Sequence, residues 1–379
     1  VTRFFQLLGR KPAAAARAAA DVMSLESEIA KLTMSQVDRR EPSKIYNPTT
    51  VTDLVKLAPA FDWSAWLAAL GNPTLDHVVL TNPAFFAGVS GLMKTIKPSI
   101  WASYLEWRTV RPLADALPSR FAEEAFQLTK LTRGLPEQPV RWKRCVAAVN
   151  TALPQYLGQP FVDQAFPGES KQSATEMVGA IRRALSADIA GLSWMTEATK
   201  EQAQLKLKAV GLLIGYPDTW REYDFAIDRT TYAANMMAAT LAETRRQFAR
   251  AGQKVDRDEW LMPPQIVNAY YNPNANNTAL PAGILQPPFF GKDRLVAANL
   301  GGIGMVVGHE LTHGFDDQGA QFDEIGNQRD WWQEADKKGQ RKFPHEFMYD
   351  LLRKNVLQLD FDPKDSWLMA ASQKLGEKM

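Results

Sequence analysis

One cysteine, Cys145, is all that this 379-residue chain contains. An intrachain disulfide, a thiolate zinc site and a paired-thiol redox centre are therefore excluded. The thiol sits in Arg-Trp-Lys-Arg-Cys-Val, among basic neighbours that lower a thiol pKa, yet a lone cysteine is expected in the interior as a small apolar residue. Neither sign of charge is in excess. Lys+Arg 44 against Asp+Glu 42 leaves +2, which is no electrostatic footprint for nucleic acid. No apolar run approaches the ~20 residues of a membrane-spanning helix. Internal repeats are missing, and Val1-Thr2-Arg3-Phe4-Phe5 enters a helical pattern without the form of a signal peptide, which does not bear on a leader already removed. Histidine is scarce as well, four in the chain, so its placement carries weight.

What is there reads as a globular protein, 45% apolar and 23% charged, long enough for two domains. Residues 13–34 are alanine-rich, with Val22, Met23, Leu25, Ile29 and Leu32 at helical spacing, and predict a helix. Asp38 to Thr50, with charges and two prolines, predicts a linker. Short helices separated by Pro, Gly and Asn follow to about residue 215. Met177–Met195 predicts an amphipathic helix, and Thr199-x-x-Gln202 predicts a capping box opening another that Gly215 and Pro217 stop. A further helix is expected over Thr231–Ala251, closed by Gly252. After Trp260 the texture changes. Ile266–Tyr271 has strand propensity, and Asn272-Pro273-Asn274 is a turn. The eleven tryptophans are read as core and not as a carbohydrate platform.

Two of the four histidines fall in His309-Glu310-Leu311-Thr312-His313. Positions four apart share one face of a helix, so both imidazoles reach one metal ion. Zinc suits imidazole, and a catalytic zinc takes three protein ligands plus an open position for water. Glu310 projects beside such an ion, placed to act as base toward a metal-bound water. Gly301, Gly302, Gly304, Gly308 and Gly314 surround the motif. Glycine inside a helix costs up to ~1 kcal/mol each, which points to close approach of another backbone. Asp316 or Asp317 is a candidate to orient a ligand histidine; a helix C-terminal cap or solvated surface is the alternative for the pair. The strand-like segment carrying Asn268 is a candidate edge for pairing with an extended peptide.

The runs Val267-Asn-Ala-Tyr-Tyr-Asn-Pro273, Pro281-Ala-Gly-Ile-Leu-Gln-Pro-Pro-Phe-Phe290, Gly301 to Gly319 and Trp331-Trp332 together resemble the neprilysin (M13) family of zinc metallopeptidases. Upstream landmarks, among them Gly215-Tyr216-Pro217-Asp218 and Val255-Asp-Arg-Asp-Glu-Trp260, extend the resemblance over about residues 5–335. It implies a mainly α, two-lobed neprilysin-like fold, with a thermolysin-like zinc helix beside a small β-sheet in the catalytic lobe. The implied lobes are residues 1–45 with 236–379 (catalytic) and 46–235 (helical, enclosing the substrate cavity). It further implies one zinc ion per chain, held by His309 and His313, with Glu310 as catalytic base in an endopeptidase that cuts oligopeptides on the amino side of hydrophobic residues. Asn268 and Ala269 would hold the substrate backbone, and Ile284, Phe289, Met305 and Val306 would line the pocket for the residue after the scissile bond.

The chain departs from the family pattern after Trp332. The expected third ligand, a glutamate in a Glu-Asn-Ile-Ala-Asp motif, has no clear counterpart. Glu377 in Leu375-Gly376-Glu377 is the candidate, with Glu346 a weaker one. The family's later histidine and arginine and its opening segment also have no counterpart. The expectation is therefore a truncated or split form of a longer peptidase, in which another segment or a second chain completes the site. The rival is a peptide-binding subunit that is inactive alone. A periplasmic or secreted location is preferred to the cytoplasm.

Overall fold

The computed structural model describes residues 1–337. Helices dominate, and the described chain divides into two compact units, residues 1–154 with 221–254 and residues 155–220 with 255–337. No helix among the described residues is long and apolar enough to cross a membrane.

In the first unit, the helix Pro12–Lys31 begins at proline, whose fixed φ suits the first helical position. Its residues Ala15, Ala18, Ala19 and Val22 fall on one face and are buried with Phe5. Small side chains there let the helix Pro98–Val110 approach, and its Tyr104 and Trp107 pack on this cluster. This packing ties residues 1–45 to the helices that follow, whereas the sequence reading joined them to the catalytic lobe. That reading also began the helical lobe at 46 and ended it at 235. In the structure residues 155–220 group with the metal-motif segment, and the chain passes from one unit to the other between Lys254 and Val255. The stretch expected to be a linker is structured: it holds a helical turn, Pro42–Ile45, and strand β1 (Asn47–Thr50), paired antiparallel with β2 (His77–Leu80). Cys145 is exposed and not buried, because the helix Arg141–Ala152 that carries it buries none of its residues.

The second unit is organised around one large apolar cluster. The helix Gly168–Gly191 starts upstream of the expected Met177 and presents Ala174, Val178, Ile181, Leu185 and Ile189 to it at three- and four-residue spacing. The next helix spans Glu197–Ala209. Thr199 lies inside its first turn and does not cap it: its hydroxyl accepts from the Gln333 amide at 3.3 Å. Thr196 is the N-cap residue, and its amide (3.0 Å) and hydroxyl (2.7 Å) both donate to the Asp336 carboxylate. This helix ends at Ala209 and not at Gly215, because the chain turns at Val210 into strand β3 (Gly211–Gly215). There Leu213 and Ile214 are buried.

Three strands form the sheet beside the metal motif, in the order β3, β5 (Asn277–Pro281), β4 (Tyr270–Asn272). Strand β5 runs parallel to β3, pairing Leu213 with Ala279, and antiparallel to β4, pairing Tyr270 with Ala279. Only the end of the predicted strand 266–271 is therefore regular. Its beginning is drawn off the sheet where Gly283 donates to the Pro264 carbonyl at 2.7 Å and Ile266 donates to Pro263 at 3.2 Å. Of the tryptophans, Trp331 and Trp332 are buried and Trp194 and Trp220 pack against the core, while Trp66 and Trp142 are exposed, so the core reading holds for part of the set.

Candidate metal centre

The metal motif is an amphipathic helix whose two faces have different tasks. Ile303, Val307 and Leu311, four residues apart, are fully buried and face the core. Each such side chain removed from water contributes about 1.5–3 kcal/mol, which anchors the helix. His309 lies two residues from Val307, about 200° around the helix axis, so His309 and His313 emerge on the opposite face. The α-helix Met305–Thr312 is preceded by a π-helical turn, Leu300–Gly304. Within that turn the Ile303 amide donates to the Phe289 carbonyl at 3.0 Å. A Cβ on Gly302 would stand 2.3 Å from that carbonyl oxygen, so the backbone approach expected from the glycines occurs here.

The two imidazoles converge. Their Nε2 atoms lie 3.0 Å apart, with ring planes at 76°. His313 Nδ1 is 2.7 Å from Asp316 Oδ2, while Asp316 Oδ1 accepts from the amides of Gln318 (2.9 Å) and Gly319 (2.8 Å). An ionised carboxylate only accepts, so Nδ1 of His313 carries the proton and the Nε2 lone pair faces its partner histidine. Asp316, one of two candidates in the sequence, is thus the orienting group. The Asp316 hydrogen bond and charge raise the His313 pKa against the opposing effect of burial, whereas burial, with His313 beside it, lowers that of His309. Burial of Asp316 favours its neutral form, but His313 and the two amides outweigh this and hold its pKa below the usual carboxylate value.

Glu310 is buried, and its pKa is raised by that burial, partly offset by His313 and a backbone hydrogen bond from Tyr271. A cavity of about 410 Å³ brings together Asn268, Ala269, Tyr270 and Tyr271 with His309, Glu310, His313, Asp316, Gln318 and Gly319. The oxygen of the exposed Asn268 side chain accepts from the Ala269 amide at 2.9 Å. The other predicted pocket residues do not line this cavity. Ile284 is buried in the core, Val306 is packed partly against it, and Phe289 and Met305 are exposed.

The donor set fits zinc. An ion bonded tetrahedrally at about 2.0–2.1 Å sets two nitrogens roughly 3.3 Å apart, close to the separation of these imidazoles. Among the described residues no group of three His, Cys, Asp or Glu side chains gathers as a metal cage. Glu377 and Glu346 lie outside the described residues.

Three lining residues, Tyr271, Gln318 and Gly319, are not distinguishable as functional by sequence pattern. Gly319 shows why tightness matters here: a Cβ on it would lie 1.8 Å from the His313 carbonyl oxygen. Gly319→Ala is expected to destabilise the fold by on the order of 3 kcal/mol, as overpacking does, and to weaken zinc binding. Urea unfolding and a zinc titration check both; an unchanged midpoint would show that the turn yields freely.

Behind the turn lies Lys206, fully buried. Its Nζ donates to the carbonyls of Gly319 and Phe322, each at 2.6 Å. Burial lowers its pKa from 10.5 to about 7, against the pull of Asp316, Asp323 and Glu324. Between about pH 7 and 10.5 the unfolded chain holds this proton and the folded chain does not. Wild-type stability, followed by urea midpoint with chelator present, is therefore expected to rise across that window relative to Lys206→Met, and to show no such relative slope below it. Parallel pH profiles for the two proteins would contradict this.

Comparison with known proteins decides the family. Two models of peptidase family M13 match, over residues 1–217 and 268–349. The chain belongs to peptidase family M13. This M13 chain is 34% identical over 345 residues to endothelin-converting enzyme-like 1 of Rattus norvegicus, an alignment covering 88% of this chain and 44% of that relative. It is 34% identical over 327 residues to endothelin-converting enzyme 1 of Homo sapiens, covering 83% and 42%. The chain thus spans less than half the length of these relatives. Among solved structures, the Mycobacterium tuberculosis zinc metalloprotease Zmp1 in complex with an inhibitor superposes with a TM-score of 0.84 at 36% identity, over 89% of this chain and 52% of that one. PepO from Lactobacillus rhamnosis HN001 gives 0.80 at 26% identity, over 90% and 55%. The mainly helical M13 fold and family membership expected from the motifs are both shown.

Proposed function

We propose that this chain carries the zinc-binding and substrate-strand part of an endopeptidase that hydrolyses oligopeptides on the amino side of hydrophobic residues. The observation that carries the reading is the convergence of His309, His313 and Glu310 with the edge of β4 on one cavity of about 410 Å³. Zinc, when bound, supplies Lewis-acid polarisation of the scissile carbonyl and acidifies water. The chain's own residues do the rest. Asp316 holds the His313 tautomer that turns the Nε2 lone pair to the cavity. Glu310 accepts a proton from the attacking water and returns it to the leaving amine. An extended substrate runs along β4, with its backbone held by Asn268 and Ala269. Ile284, Phe289, Met305 and Val306 lie outside that cavity, and only the family resemblance supports assigning them to the pocket for the residue after the scissile bond. A periplasmic or secreted location belongs to the same proposal.

A second reading, a peptide-binding subunit completed by another segment or chain, is favoured by one observation: no third metal-binding side chain joins the two histidines among the described residues. Incubation of the intact protein with an oligopeptide library, with and without a chelator, separates the two. Zinc-dependent cleavage before hydrophobic residues supports the peptidase. Peptide retention without cleavage supports the binding subunit.

A further inference from the structure

Lysine is rarely fully buried without partners, and Lys206 lies on the inner face of its helix with Thr199, Ala203 and Leu207, all buried. An aliphatic residue would satisfy that packing. The amino group instead meets two carbonyls of the 316–322 turn. The Gly319 carbonyl already accepts from the Phe322 amide at 3.1 Å, and the Phe322 carbonyl from Trp331 Nε1 at 3.0 Å, so Lys206 gives each a second donor. The rings of Tyr271, Phe315 and Trp331 surround Nζ at 5.8–5.9 Å. Its backbone is held too: Asn276 Nδ2 donates to the Lys206 carbonyl (3.1 Å) and to the Glu324 carbonyl (2.9 Å), and Tyr271 Oη donates to Asn276 Oδ1 (2.8 Å). From Nζ the path to the metal motif is short. It crosses the Gly319 carbonyl, then the Gly319 amide on Asp316 Oδ1 at 2.8 Å, then Asp316 Oδ2 beside His313 Nδ1 at 2.7 Å.

We propose that Lys206 is a positioning residue for the metal centre: by holding the Gly319 and Phe322 carbonyls it fixes the turn from which Asp316 orients His313. The inference rests on the metallopeptidase reading of the site. Lys206 touches neither substrate nor metal ligand, so its effect runs through Asp316 and reaches zinc affinity before it reaches turnover. A side chain that merely filled the core would alter folding stability alone.

The test uses the intact protein and zinc itself, titrated against a fluorescent chelator. Lys206→Met is expected to weaken zinc binding by about 10- to 100-fold, the range for groups that orient metal ligands. In the Lys206→Met/Asp316→Asn double variant the loss is expected to be no greater than in Asp316→Asn alone, because both act on one path. Unchanged zinc affinity in Lys206→Met, or losses that multiply in the double variant, would overturn the proposal. Should Lys206→Met not fold, hydrogen exchange of the wild type with and without zinc decides. Joint protection of residues 202–208 and 316–322 on adding zinc supports the link, and protection of 316–322 alone refutes it. A wild type that holds no zinc removes the metallopeptidase reading and this inference with it. Zinc bound normally by both wild type and Lys206→Met removes the inference alone.

Discussion

On the proposed function, Glu310→Gln is expected to lower the rate of peptide cleavage by about 10²–10⁴-fold, the usual contribution of a positioned general base, and to leave zinc in place. The amide is nearly isosteric with the carboxylate, so the small space around this buried side chain stays filled. The backbone hydrogen bond from Tyr271 keeps an acceptor in the amide oxygen. What the amide lacks is basicity. Its oxygen cannot take the proton of an attacking water at neutral pH, and its NH₂ group has none of the required kind to return to the amine. Parallel measurement of kcat/KM on a fluorogenic oligopeptide and of bound zinc checks this. Cleavage at the wild-type rate would remove Glu310 from the chemistry.

Asp316→Asn is expected to weaken zinc binding by about 10- to 100-fold, for a reason set by hydrogen-bond direction. Two amides, of Gln318 and Gly319, donate to Oδ1, so the asparagine carbonyl stays there and the NH₂ group turns to His313 Nδ1. That nitrogen must then accept, the imidazole proton moves to Nε2, and Nε2 now presents a hydrogen where a metal needs a lone pair. A zinc titration against a chelator measures the loss. Affinity equal to that of the wild type would show that the second imidazole nitrogen is indifferent to its partner.

The contrast between what was legible and what was not follows from the range of the interactions involved. His309, Glu310 and His313 are legible because a four-residue spacing on a helix is a local fact that tertiary packing does not alter. The closely packed glycines pointed to a backbone neighbour, though only folding identifies it as the Phe289 carbonyl. Asp316 and Asp317 are equivalent in sequence; the turn that directs Asp316 to His313 closes through the Gln318 and Gly319 amides and is not visible in residue types. The helix expected to run to Gly215 stops at Ala209, because parallel pairing of β3 with β5, whose partners lie some 66 positions apart (Gly211 with Asn277), overrides local propensity. Lys206 is the extreme case. In Gln-Leu-Lys-Leu-Lys it is one lysine of two, and its burial follows from carbonyls more than a hundred residues away. The packing of Pro12–Lys31 against Pro98–Val110 is hidden for a similar reason: the alanine stripe specifies a close contact without specifying with which helix. Cys145 is exposed where burial is expected, because the helix that carries it leaves every one of its residues at least partly exposed.

Metal analysis of the purified intact protein tests the central claim most directly. The account predicts one zinc ion per chain in the wild type and none in the His309→Ala/His313→Ala double variant. No zinc in the wild type, or the same zinc content in both proteins, would contradict it.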